Sequence, residues 1–242
     1  MIPTNPRRRT IAIKLTLALM VFLAPISSAW GAVPAGTVTH LSGPLVAKKA
    51  DGSVRALSIK SAVEEGDVLI TEKRTYARLK MRDDSEITLR PNTHFKVEQF
   101  AFDKDRPGED RSFYNLTKGG MRTITGLIGK RGNADSYRLT TPTAVAGVRG
   151  TGYGATFCQQ DCGSLPDGLY VEVFEGVIVV YNKMGSQIFN VGQFGYVSGP
   201  TGAPVLLPVK PAIPPFSPPP TVSPLTPGSG GSPPGPPGCE VR

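Results

Sequence analysis

Histidine occurs only twice in these 242 residues, tryptophan once and cysteine three times. His40 and His94 each stand in a strand-like run with no Cys, Asp or Glu at ligand spacing, so neither a zinc site nor a histidine acid–base centre can be assembled. There is no Gly-x-Ser-x-Gly elbow, no Walker loop and no dinucleotide fingerprint, which removes the common hydrolase, phosphate and nicotinamide chemistries. Gly147-x-x-Gly150 has phosphate-loop spacing, but no helix follows for a phosphate to cap. The chain is therefore expected to be no enzyme and to need no cofactor or metal. Basic residues are not interleaved with aromatics and no recognition helix stands out, so nucleic acid is not an expected partner. No apolar run is long enough to remain in a bilayer, because the longest, Leu15 to Ile26, is short and interrupted by Pro25.

That run has a different use. Arg7, Arg8, Arg9 and Lys14 precede it and Ser27, Ser28 and Ala29 follow it, the order of a secretory signal over residues 1–29. Those four residues are among the 27 basic ones and none of the 19 acidic ones lies there, so the formal net charge of +8 falls to +4 once the segment is removed. Much of the basic surplus thus belongs to export. Export in turn places the cysteines in an oxidising compartment. Cys158 and Cys162 are spaced to pinch a loop between two strands, and a disulfide is expected there, contributing on the order of 2 kcal/mol before strain. Cys239 has no assigned partner. At the other end, residues 200–242 become dense in proline with glycine and serine, a composition that cannot bury enough surface to fold and reads as a disordered tail.

Between the two lies a body, residues 33–199, made of short β-like segments. Asp51-Gly52 is a hairpin signal between PLVAKK and SVRALS, and GDVLIT delivers a buried strand. Ala77, Leu79 and Met81 alternate with Tyr76, Arg78 and Lys80, and a hairpin over Asp83-Asp84 leads to Ile87 and Leu89. Residues 101–111 form a charged loop. Its carboxylates Asp103, Asp105, Glu109 and Asp110 lack the spacing of a calcium loop and are neutralised by Lys104, Arg106 and Arg111. Gly119-Gly120 and Glu175-Gly176 read as turns, and Met121 to Ile128 as strand or one short helical turn. Turns at these intervals predict an all-β fold and leave sandwich, barrel and solenoid open.

The most specific run is RLTTPTAVAGVRGT, residues 138–151. Pro142 lacks an amide hydrogen and biases Thr141 toward extended geometry, so the strand starting near Tyr137 should bend or end there. Gly147 and Gly150 bracket Val148 and Arg149. A guanidinium so placed could lie within the fold and bond several carbonyls, tying strand layers together, or could recognise an anion.

Thr141, Pro142, Ala144, Gly147, Val148, Arg149, Gly150 and Thr151 together resemble the signature of the FecR domain of bacterial envelope proteins. Gly36, Val38 and Gly43, Asp51-Gly52-Ser53, Gly66-Asp67 with Thr71, Val173, Glu175-Gly176, Ile178 and Gly192-Gln193 stand in the same order, so the resemblance covers roughly 36–198. Asp83-Asp84-Ser85 departs from the family's Asp-Gly-Ser, although Asp tolerates positive φ. The resemblance implies a twisted β-solenoid-like stack of short strands. FecR regulators couple an outer-membrane receptor to a cytoplasmic sigma factor through a membrane-spanning segment and an N-terminal anti-sigma region. This sequence shows neither, so what carries over is a sensing or protein-binding module. The expected location is the periplasm, or secretion, in a Gram-negative type of envelope, with no transmembrane segment after processing. The expected partner is an envelope protein or a cell-wall component. The alternative function is a structural envelope protein that binds peptidoglycan or polysaccharide.

Overall fold

The computed structural model describes residues 33–213 apart from Gly132 and Ala134. The expected signal segment, and the proline-rich tail beyond 213 with Cys239, lie outside the described residues. The chain is all-β, and its strands form one open sheet. In order these are β1 (Gly36–Leu41), β2 (Leu45–Lys48), β3 (Val54–Leu57), β4 (Ala62–Val63), β5 (Val68–Thr71), β6 (Ala77–Met81), β7 (Glu86–Leu89), β8 (His94–Ala101), β9 (Arg111–Ile124), β10 (Tyr137–Thr140), β11 (Val145–Cys158), β12 (Gly168–Asn182), β13 (Gly185–Asn190), β14 (Phe194–Val197) and β15 (Val205–Leu207). The one described α-helix, α1, spans Leu127–Arg131.

Register divides this sheet into two layers. The first runs β3-β2-β5-β8, then the first half of β9, β10, the first half of β11, the second half of β12, and β13. The second runs β4-β1-β6-β7, then the second half of β9, the second half of β11, the first half of β12, β14 and β15. Only β9, β11 and β12 belong to both. The chain passes repeatedly from one layer to the other, so the fold is a coiled stack of short strands and not a closed barrel.

Alternation supplies the core between the layers, as period-2 patterning requires. In β6, Ala77, Leu79 and Met81 are buried, and Phe95 and Val97 of β8 are fully buried. At the centre stand three tyrosines. Tyr114 stacks on Phe95 with ring centroids 5.1 Å apart and meets Tyr137 edge-on at 5.7 Å. Tyr137, from the first layer, meets Tyr153, from the second, with hydroxyls 3.0 Å apart. Burial holds all three phenols above their ordinary ionisation range, so they remain neutral. Each fully buried ring contributes about 1.5–3 kcal/mol of transfer free energy.

Gly119-Gly120 and Glu175-Gly176, expected to make turns, do something else. Gly119 (φ 75°), Gly150 (φ 60°) and Gly176 (φ 70°) lie inside β9, β11 and β12, at the points where these strands change layer. Hydrogen-bonded neighbours flank them, so the strands continue through the bend. The short strands β4 and β15 carry no strong pattern of their own and went unmarked in the sequence. With β15 paired to β14, the sheet runs past residue 199, where composition places the end of the body.

Candidate functional site

The signature run is built from two local devices. Pro142 and Thr143 form the link between β10 and β11, closed by a bond from the Thr141 amide to the Ala144 carbonyl (2.9 Å). The buried Thr141 hydroxyl donates to that same carbonyl (2.8 Å) and accepts from the Ala144 amide (3.1 Å). Threonine is suited to this turn because its side chain satisfies backbone groups that the reversal leaves over.

The second device is the corner of β11. The register with β12 shifts between Arg149 and Gly152 and again before Tyr153. Thr151 fixes the bend: its amide donates to Thr125 Oγ1 (2.8 Å), the Thr125 amide donates to the Thr151 carbonyl (3.0 Å), and the Thr151 hydroxyl lies 2.8 Å from the Val177 carbonyl. Gly176 crosses so closely that a Cβ there would sit 2.4 Å from the Gly150 carbonyl oxygen.

Arg149 differs from expectation. Val148 is buried, so alternation along the strand sends Arg149 outward; its side chain is exposed and its guanidinium makes no hydrogen bond or ion pair to any described residue. Tying between layers falls instead to Thr125, Thr151 and the glycines. Gly147 pairs with Val179 and Arg138 in the sheet. The Cys158–Cys162 disulfide is present, with Cα atoms 5.5 Å apart, and both cysteines are buried beside Tyr170.

Acidic landmarks are occupied by structural bonds. The Asp83-Asp84-Ser85 turn does adopt positive φ at Asp84 (70°). The buried Asp83 carboxylate accepts from Ser85 Oγ (2.7 Å) and from the Ile128 amide (3.3 Å), while its carbonyl accepts from the Leu127 amide (2.7 Å). It thereby caps the start of α1. Asp67, fully buried, is bonded to Arg55 and lies 3.3 Å from Lys49 Nζ. In the 101–111 loop, Asp103 and Glu109 bind Arg106, whereas the buried Asp110 pairs with Arg131 of α1, a partner the sequence did not suggest.

A cleft of about 300 Å³ lies on the outer face of the second layer. Two cross-strand rows make it. One runs Thr88, Arg122, Gly154, Glu172, Phe194; the other runs Gly120, Thr156, Tyr170, Tyr196, with Arg90 bonded through its amide to the Gly120 carbonyl (2.9 Å). The Arg122 guanidinium lies 3.8 Å over the Phe174 ring. Phe174 itself settles there because Gly152 has no side chain; a Cβ would approach the ring to 2.3 Å. Arg90 Nη1 donates to Thr156 Oγ1 (3.1 Å). Burial pulls both guanidinia somewhat below the usual arginine range, and they stay charged. Glu172, the cleft's carboxylate, is bonded to Lys210 (3.0 Å). Burial, with Tyr196 alongside, pushes the Tyr170 hydroxyl up to about 12, and it donates to the Pro166 carbonyl. The cleft escaped sequence reading because its residues come from six separate runs. The available signal was Gly152-x-Gly154-x-Thr156, small residues on one strand face opposite aromatics on the other.

No curated protein matches the chain. Two crystal structures of a candidate anti-sigma factor from Parabacteroides distasonis, at 1.65 Å and 2.50 Å resolution, are similar to it, with TM-scores of 0.45 and 0.44 and sequence identities of 14% and 13%. In each case 57% of this chain and 57% of that protein are covered. Residues 67–179, which hold all three layer-changing corners and most of the cleft, match the model of the FecR protein family.

Proposed function

We propose that this chain is an exported, non-enzymatic FecR module that binds a protein partner in the cell envelope and serves sensing there. The observation that carries the reading is the family match over residues 67–179, a span whose buried acids are committed to structural bonds while its outer face keeps a basic cleft. Export rests on the signal-like order of residues 1–29. Among the described residues no helix is long and apolar enough to cross a membrane.

The test is affinity capture of the full chain, tagged internally between Lys183 and Gly185, from envelope fractions of the native cell after brief cross-linking. A stoichiometric envelope protein is the expected result. Retention on purified cell wall with no protein partner would overturn it in favour of a structural wall-binding role. Recovery of the whole pool from the cytoplasm with residues 1–29 intact would overturn the export half.

A further inference from the structure

The cleft on the second layer has the composition of a carboxylate receptor. Arg90, Arg122 and Lys210 face it against Glu172, and the one carboxylate is already taken by Lys210. Arg122 stands opposite Thr88, and Arg90 lies two residues further along the same chain, so the two side chains leave the sheet as diagonal neighbours, about 7 Å apart at their bases. Two like charges on one partly desolvated face raise the local positive potential. The Arg122 guanidinium stacks on Phe174 within the field of the Glu172 carboxylate, and its side chain makes no hydrogen bond to any described residue, which leaves its planar fork of donors unengaged. Such a fork matches a carboxylate in two parallel bonds. Gly154 forms the floor between Arg122 and Glu172, and the nearest atom to a Cβ placed there is 3.7 Å away, so the floor has room. Phe174, Tyr170 and Phe194 supply apolar walls.

The same face already carries a stretch of polypeptide outside the strands. Residues 208–213, in neither helix nor strand, lie along it: Lys210 reaches Glu172 and sits 5.5 Å over Phe194, and Pro211 and Ile213 form part of the rim. A partner's segment would run beside it. Volume agrees, since about 300 Å³ takes one acidic side chain with an apolar neighbour.

We infer that this cleft binds a peptide segment of a partner protein that presents an Asp or Glu next to an apolar residue, with Arg122 and Arg90 clamping the carboxylate. The inference rests on the protein-binding reading above and gives it a site.

The full chain is titrated by fluorescence anisotropy with a labelled hexapeptide of alternating Glu and Phe, and with its Gln counterpart. Expected are saturable binding of the Glu peptide, at least tenfold weaker binding of the Gln peptide, and weakening with salt. Arg122→Met keeps a soft contact with Phe174 but removes the fork, and should weaken binding at least tenfold. Gly154→Val leaves every charge in place and fills the floor, and should abolish binding with an unchanged melting temperature. Equal affinity for the two peptides, or full binding by Gly154→Val, overturns the inference. Binding of a polyuronate oligosaccharide in place of the peptide overturns the peptide assignment. Capture of an envelope partner by Gly154→Val as efficiently as by the parent would overturn this site and leave the module reading standing, whereas absence of any partner for the parent would remove that reading itself.

Discussion

Arg149 follows a buried valine on a strand, so its side chain points to water, while Asp83, in a hairpin turn, is fully buried. Substitutions should separate the two. Arg149→Met is expected to shift stability by no more than about 0.5 kcal/mol, as for other exposed positions. Asp83→Ala removes the acceptor of Ser85 Oγ and the Ile128 amide and should cost roughly 1–3 kcal/mol for each buried donor left unsatisfied. Urea unfolding midpoints of the two variants measure the difference. The sequence shows which residues form a turn but not what the turn's outward side meets, and Asp83 meets the start of a helix that lies 44 residues on in the chain. His94 offers a pH test. Burial, aided by Lys118 across the β8–β9 pair, holds its pKa below the ordinary histidine value of about 6.5. The folded state thus resists the proton that the unfolded state accepts, so His94 subtracts stability as pH falls below about 6.5. The loss in urea midpoint between pH 7.5 and 5.5 should be smaller in His94→Gln than in the parent.

At the scale of the element, hydrophobic alternation marked most strands correctly, because each has one face in the core and period 2 is visible wherever one face is buried. Glycine was the ambiguous signal. A residue with positive φ serves a two-residue turn and a bend in a continuous strand equally well, and only the partner strands decide between them. Those partners lie far along the chain: Gly120 stands opposite Thr156, and Gly176 crosses Gly150. Gly176→Ala should therefore be among the most disruptive single-methyl changes in the domain. It forces a side chain into the left-handed region and onto a carbonyl at once, for a loss of at least about 2 kcal/mol. Thermal denaturation of this variant beside Gly185→Ala, whose added Cβ meets nothing within 4 Å, tests whether the crossing or the backbone angle dominates. β15 illustrates the opposite failure. It is too short and too near the proline-rich segment for composition to announce it, yet β14 accepts it as a neighbour.

For the whole molecule, the family signature carried the fold further than spacing did, since spacing alone left sandwich, barrel and solenoid equivalent. The cleft was not legible at any scale of the sequence, because strand order assembles it from residues 90 to 213. Protection should follow the same architecture. In native-state hydrogen exchange, amides of β9, β11 and β12 are expected to open only with global unfolding, and those of β3, β13 and β15, at the ends of the strand order, to exchange fastest. Uniform protection across the sheet would contradict this ranking. The three shared strands also make the two layers mechanically inseparable. A tilt imposed on the second layer by something seated against Arg122 and Phe174 has no slip plane to dissipate it. It must be carried, strand by strand, through residues 119, 150 and 176 to the opposite side of the molecule, where Arg149 and the β13 edge face outward.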